Sequence, residues 1–222
     1  MSKDPVVAAV TSRRSVRAYS SRPVDEQVIR DILMASARAP SGTNIQPWRV
    51  YVLTGTAQAA LVERTLRAFD QGKQEGLGDY YPTEFVEPYL SRRRKIGWDL
   101  YGLLGIEKGD YAATAAFHRQ NFKFFGAPVG LIFTLHSTMQ KGGWLDLGLF
   151  MGNVMTLARG YGLDTCPQAA WLEFATEVRD QIGIGEDEDL VVGMAMGYED
   201  PDAPISQLVT ERASLDAFVS FL

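Results

Sequence analysis

The chain has 222 residues, 46% of them hydrophobic and 22% charged, a mixture that buries a core and makes disorder the wrong default. Its formal net charge of −5 and pI near 5.1 provide no overall field for polyanions, so no nucleic acid and no acidic membrane is expected as a partner. One cysteine, Cys166, and two histidines, His118 and His136, exclude an intrachain disulfide and the His/Cys clusters of common zinc, iron–sulfur or copper sites.

The lone cysteine, with no apolar leader in Met1-Ser2-Lys3-Asp4-Pro5, leads us to expect a reducing, cytoplasmic setting. The longest apolar stretch, residues 127–135, falls far short of the roughly 20 residues of a membrane-spanning helix and reads as a buried strand.

In chain order, Asp4 and Pro5 supply a cap and a first turn, and Val6, Val7 and Val10 give the short helix behind them an apolar stripe. Asp25 caps a second helix whose Val28, Ile29, Ile32 and Leu33 keep the helical period until Pro40-Ser41-Gly42 stops it. Residues 48–53, aromatic and β-branched, read as a strand, and a helix over 56–70 follows. From 71 to 109 the pattern loosens into several glycines, two prolines, tyrosines and the run Arg92-Arg93-Arg94-Lys95. That stretch is expected to be a mobile lid excursion with one helix inside it.

Regularity returns with a helix over 110–125, a strand over 129–136 and a long helix over 144–161 ended by Gly162. A short strand over 164–166 stops before Pro167, and a helix over 173–182 and a strand over 190–196 complete the core. With no repeat and no linker, residues 1–222 read as one α+β domain, a sandwich around a central sheet of four or five strands. Two features point beyond a monomer. The tail ends in apolar Phe218, Val219, Phe221 and Leu222, and Gly148, Gly152 and Gly160 let a neighbour approach the long helix, from another subunit or from within the same one.

Arg13-Arg14-Ser15-Val16-Arg17 sets three guanidinium groups and a hydroxyl in five residues of an acidic protein. That suits a phosphate, or else a solvated basic face. Were the segment helical, Arg13 and Arg17 would share a face and Arg14 would point elsewhere. The loop Pro40-Ser41-Gly42-Thr43-Asn44-Ile45-Gln46-Pro47-Trp48 offers hydroxyls, amides and backbone suited to a polyhydroxylated chain and a heterocycle, more than a simple turn requires. GxGxxG, P-loop and GxSxG motifs are all missing, so neither a dedicated nicotinamide domain nor a serine-hydrolase mechanism is supported.

These two segments, together with residues 121–128, the stretch Gly162-Leu163-Asp164-Thr165-Cys166-Pro167-Gln168-Ala169-Ala170-Trp171 and Arg212, resemble the FMN-binding signatures of the nitroreductase superfamily in order and spacing. The resemblance implies an α/β/α sandwich with a mostly antiparallel sheet, and a homodimer with an exchanged C-terminal tail and FMN at the subunit interface. It implies that Arg13, Arg14, Ser15 and Arg17 contact the phosphate, the ribityl chain and the N1/O2 edge of FMN, with Arg212 completing the phosphate site. Pro40, Ser41, Gly42, Thr43 and Asn44 would reach the flavin from the partner subunit. Asn121 would face the ring's polar edge, with Lys123 close by. Pro167, Gln168, Ala169 and Ala170 would run along the isoalloxazine and offer a backbone N–H to N5. Many relatives carry an acidic residue and a glycine here, so Ala169-Ala170 keeps that hydrogen bond and removes a carboxylate from the pocket.

By the same resemblance the flavin carries the chemistry, with no catalytic side chain. NADH or NADPH gives a hydride, and a small aromatic acceptor, a nitroaromatic compound, takes two electrons in a ping-pong cycle. The same flavin would also suit a quinone or enone reductase, a reductive dehalogenase, a flavin-fragmenting enzyme or a non-catalytic flavin-binding protein. Residues 80–101 lack the Glu-x-x-x-Tyr pairing of the dehalogenases. Tyr80, Tyr81, Phe85, Tyr89, Trp98 and Tyr101 would stack on an acceptor or hold the excursion down. Arg92 to Lys95 would bind a substrate carboxylate or the extra phosphate of NADPH, or form a solvated helix face. Cys166 reads as a packing thiol, and both histidines as ordinary core or helix residues.

Overall fold

The computed structural model describes residues 4–222, so Met1, Ser2 and Lys3 of the predicted leaderless start lie outside the described residues. Helix α1 (Pro5–Ser12) starts where the Asp4 carboxylate accepts the N–H groups of Val6 at 2.8 Å and Val7 at 3.1 Å. Helix α2 (Glu26–Ser36) is capped by Asp25 in the same way and buries Ile29 and Ile32. The remaining helices are α3 (Gly55–Asp70), α4 (Tyr89–Leu103), α5 (Tyr111–His118), α6 (Lys141–Gly160) and α7 (Ala175–Ile182).

Four strands, β1 (Arg49–Thr54), β2 (Val129–His136), β3 (Asp164–Gln168) and β4 (Glu188–Gly197), form one sheet in the order β1-β2-β4-β3. Every pair is antiparallel. The two central strands are apolar nearly throughout because both of their faces are covered. Leu131, Phe133 and Met194 pack on the side of α2 and α6, while Ile132 and Ala195 meet the side of α3 and α7. The result is the α/β/α layering expected. Gly130 and Gly193 make room for flat aromatic rings, since a Cβ on Gly193 would overlap the Trp171 indole and one on Gly130 the Phe124 ring.

Two local expectations are corrected, and one conditional reading is decided. The helix over 110–125 stops at His118 and continues as the 3-10 stretch Arg119–Gly126, with Phe124 at φ 50° and Phe125 at φ 54°. That bend buries Phe122, Phe124 and Phe125 together, more apolar area than one helix face could deliver. Strand β3 runs through Pro167 to Gln168 rather than ending at Cys166. It is an edge strand, where the missing proline N–H costs no ladder bond. Residues 13–17 are extended, not helical, and lie along the outer side of β3, with the Val16 N–H donating to the Thr165 carbonyl at 3.1 Å.

The excursion is held down by Leu100 of α4 against Ile205 and Leu208. Leu145, Gly148, Leu149 and Gly152 share one face of α6, and Leu145 is 66% exposed. A Cβ at Gly148, Gly152 or Gly160 would meet no atom of the chain within 4 Å, so packing inside one subunit does not require these glycines. Among the described residues no helix is long and apolar enough to cross a membrane.

One polar cluster anchors the sheet. The buried Glu188 carboxylate accepts from Thr134 Oγ1 at 2.5 Å, from Tyr51 OH at 3.1 Å, and from Arg49. Burial alone would push this carboxyl up, but the three donors outweigh it and hold it below the ordinary glutamate value. A folded-state value below the unfolded one stabilises the fold above the ordinary carboxylate range, and that contribution is lost as pH falls through the folded value. Glu188→Gln is therefore expected to cost about 1.5–3 kcal/mol at neutral pH. Urea titrations at pH 7 and pH 4 should show the variant losing less stability on acidification than the parent.

Candidate functional site

In the extended segment 13–17, alternate side chains point opposite ways. Val16 enters the core, and Arg14 turns to Glu199, with Nη2 2.5 and 2.6 Å from its carboxylate oxygens and Nη1 on the Ser206 carbonyl. Arg14 thus pins the N-terminal segment to the tail. Arg13, Ser15 and Arg17 take the other direction.

Arg13 is half-buried and, among the described residues, has no ion pair. Its pKa is lowered, first by burial and then by the neighbouring Arg212. Among the described residues Arg212 itself donates only to Thr210 Oγ1 and the Glu211 carbonyl at 2.8 Å each, and to the Thr210 carbonyl at 3.3 Å. Two guanidinium groups from opposite ends of the chain therefore repel each other, and among the described residues neither has an ion-pair partner, an arrangement that a bound anion would relieve. Cys166 lies close by, but burial pushes its thiol up to about 11 against the pull of Arg17 and Arg13. It packs, as expected, and supplies no thiolate near neutral pH.

Gln168 is 2% exposed. Its Nε2 donates to the Asn121 carbonyl at 2.7 Å, and its buried Oε1 has no donor among the described residues. Asn121 Nδ2 in turn donates to the His118 carbonyl at 2.9 Å. The His118 Nε2 stands 3.0 Å from the Glu173 carboxylate. Local reading missed this last pair because its members are 55 residues apart and neither stands in a motif. Ala169 and Ala170 open the 3-10 turn Ala169–Phe174, both half-buried. Lys123 is half-buried and follows the buried Phe122 in the 3-10 stretch.

The loop at 40–46 is strained. Thr43, Asn44 and Gln46 hold φ values of 50°, 60° and 49°, and Pro40, Gly42, Thr43 and Asn44 are exposed. Asp146 of α6 holds the Gly42 N–H at 3.2 Å, and Ser41 Oγ accepts from the Gln46 N–H at 3.0 Å. Among the described residues no hydrogen bond joins this loop to 13–17, Asn121 or 167–170.

A cleft of about 600 Å³ opens between α4 and α5. Arg17 and Asn121 line it together with Trp98, Tyr101, Phe117 and His118. The aromatic residues of the excursion divide here. Tyr80, Tyr81 and Phe85 contact one another, with ring centres 4.9 and 6.2 Å apart, while Trp98 and Tyr101 face the cleft.

Residues 10–198 match the Nitroreductase family. Among similar proteins, the 4-nitrobenzoate reductase of Nocardioides sp. (strain LMS-CY) is 40% identical over 97% of this chain and 89% of its own. The 4-nitrobenzoate reductase of Pseudomonas putida is 38% identical over 99% and 96%. The crystal structure of the FMN and NADPH-dependent nitroreductase NfnB from Sphigopyxis sp. strain HMH superposes with a TM-score of 0.94, at 36% identity over 98% of both chains.

Proposed function

The chain belongs to the nitroreductase family, and from that premise we propose that it is an FMN-dependent oxidoreductase reducing nitroaromatic compounds with NADPH or NADH, as one domain in the cytoplasm. Bound FMN would accept a hydride from the nicotinamide and pass two electrons to the acceptor. The residues present fit that group. The observation that carries the reading is the half-buried Arg13 that feels the charge of Arg212, with no ion pair to either among the described residues, which suits the FMN phosphate.

Ser15 and Arg17, on the same side of the extended segment as Arg13, would hold the ribityl chain and the edge that becomes negative on reduction. Arg14 serves indirectly here, because Glu199 already occupies its guanidinium. Pro167, Gln168, Ala169 and Ala170 would lie along the ring, and the unpartnered Gln168 Oε1 could accept from a ring N–H. Asn121 would stand at the polar edge, oriented by its bond to His118.

Pro40, Ser41, Gly42, Thr43 and Asn44 would come from a second copy of the chain. The open, apolar face of α6 around Gly148 and Gly152 and the exposed Phe218 and Phe221 of an exchanged tail support such a homodimer. The excursion at 71–109 would act as a lid, with Trp98 and Tyr101 stacking on an aromatic acceptor and limiting water.

Purified protein is expected to be yellow, to bleach on anaerobic addition of NADPH or NADH, and to consume nitrobenzene and 4-nitrobenzoate through the nitroso compound to the hydroxylamine. A colourless protein that takes up no added FMN would sink the reading. Rapid bleaching with turnover of quinones but of no nitroaromatic would redirect it to a quinone reductase on the same site.

A further inference from the structure

The basic run in α4 does not act as one unit. Lys95 is spent on Asp99 at 2.8 Å and Glu211 at 3.5 Å, and with Arg92 it faces a separate pocket of about 210 Å³ beside Arg212. Arg93 and Arg94 line the large cleft instead, and among the described residues neither forms an ion pair. Lys108 joins them from the far end of the excursion, its amine 6.0 Å from the Trp98 ring centre. With Arg17 these make four cations in the wall against one carboxylate, Glu107, in a protein whose net charge is −5.

We infer that this side of the cleft selects an aromatic acceptor bearing a carboxylate, such as a nitrobenzoate, over a neutral one of the same shape. The inference rests on the function proposed above and names its substrate class. Two forked guanidinium groups suit a planar carboxylate, and Trp98 and Tyr101 suit the ring that carries it. The cleft volume is that of a small-molecule site. The extra phosphate of NADPH shares the anion chemistry, but it sits on the adenosine ribose, remote from the nicotinamide. The cations here share one cleft with Arg17 and Asn121, which we place at the flavin edge.

The test compares the holoenzyme with Arg93→Gln/Arg94→Gln, using NADH as donor so that no 2′-phosphate is present, and 4-nitrobenzoate against 4-nitrobenzamide as acceptors. The kcat/KM ratio of acid to amide is expected to fall at least tenfold in the variant, chiefly through KM for the acid, at matched FMN content. In the parent, KM for the acid should rise with salt while that for the amide stays flat.

An unchanged ratio overturns the inference. So does a change confined to KM for NADPH when that donor replaces NADH, which would assign the two arginines to the donor's phosphate. A parent that reduces the amide but not the acid defeats the inference alone. One that is reduced by NADH yet turns over neither compound defeats the proposed function as well.

Discussion

Replacing Arg13 and Arg212 together by alanine is expected to strip the protein of FMN during purification. Each guanidinium would give the phosphate a charge-assisted hydrogen bond of about 1.5–3 kcal/mol, so removing both raises the FMN dissociation constant by roughly 100-fold or more. The effect on the empty protein runs the other way. Arg13 loses solvation and stands beside Arg212, so its charge is a cost until an anion arrives, as its lowered pKa records. The apo variant is therefore expected to melt no lower than the apo parent, while FMN raises Tm in the parent and not in the variant. Equal FMN occupancy at 450 nm in both proteins would show that the phosphate lies elsewhere.

Gly148→Arg is expected to convert the proposed dimer into a monomer without unfolding it. Gly148 is exposed, a Cβ there meets nothing in its own subunit, and arginine is a better helix former by nearly 1 kcal/mol. Against a second copy packed on Leu145, Gly148 and Leu149, the same side chain brings both bulk and an unpaired charge into the contact. Sedimentation should then give a monomer of unchanged or slightly higher helicity. FMN should be lost with the dimer, because Pro40 to Asn44 would no longer reach the flavin. A monomer that keeps its FMN would show that this loop serves its own subunit or none.

The two experiments separate the halves of the proposed site. The arginine variant removes the phosphate contacts and leaves the α6 face intact, whereas the Gly148 variant does the reverse. Loss of FMN in the first with retention in the second would place the whole site within one subunit.

What the sequence determined alone about this protein is what short-range chemistry decides. Asp4 and Asp25 cap the helices behind them because a carboxylate reaches the free N–H groups two or three residues on. Strand β2 starts and stops at Val129 and His136 as read, since its nearly continuous apolar run is what a strand covered on both faces requires. The order of the arginine segment, the Pro40–Asn44 loop and the 167–170 segment also sufficed to recognise the family.

Tertiary structure alone decided where side chains with distant partners point. Arg14 belongs to Glu199, 185 residues away, so nothing in Arg13-Arg14-Ser15-Val16-Arg17 says which of its arginines is already neutralised. Packing of Phe122, Phe124 and Phe125 breaks a pattern that reads locally as helix. Pro167 stays in a strand because β3 happens to be an edge. The run Arg92-Arg93-Arg94-Lys95 divides between two pockets only once Glu211 and the α5 side of the cleft take their places. In each case the deciding energy is burial or pairing with a group far along the chain, and local periodicity carries no record of such a partner.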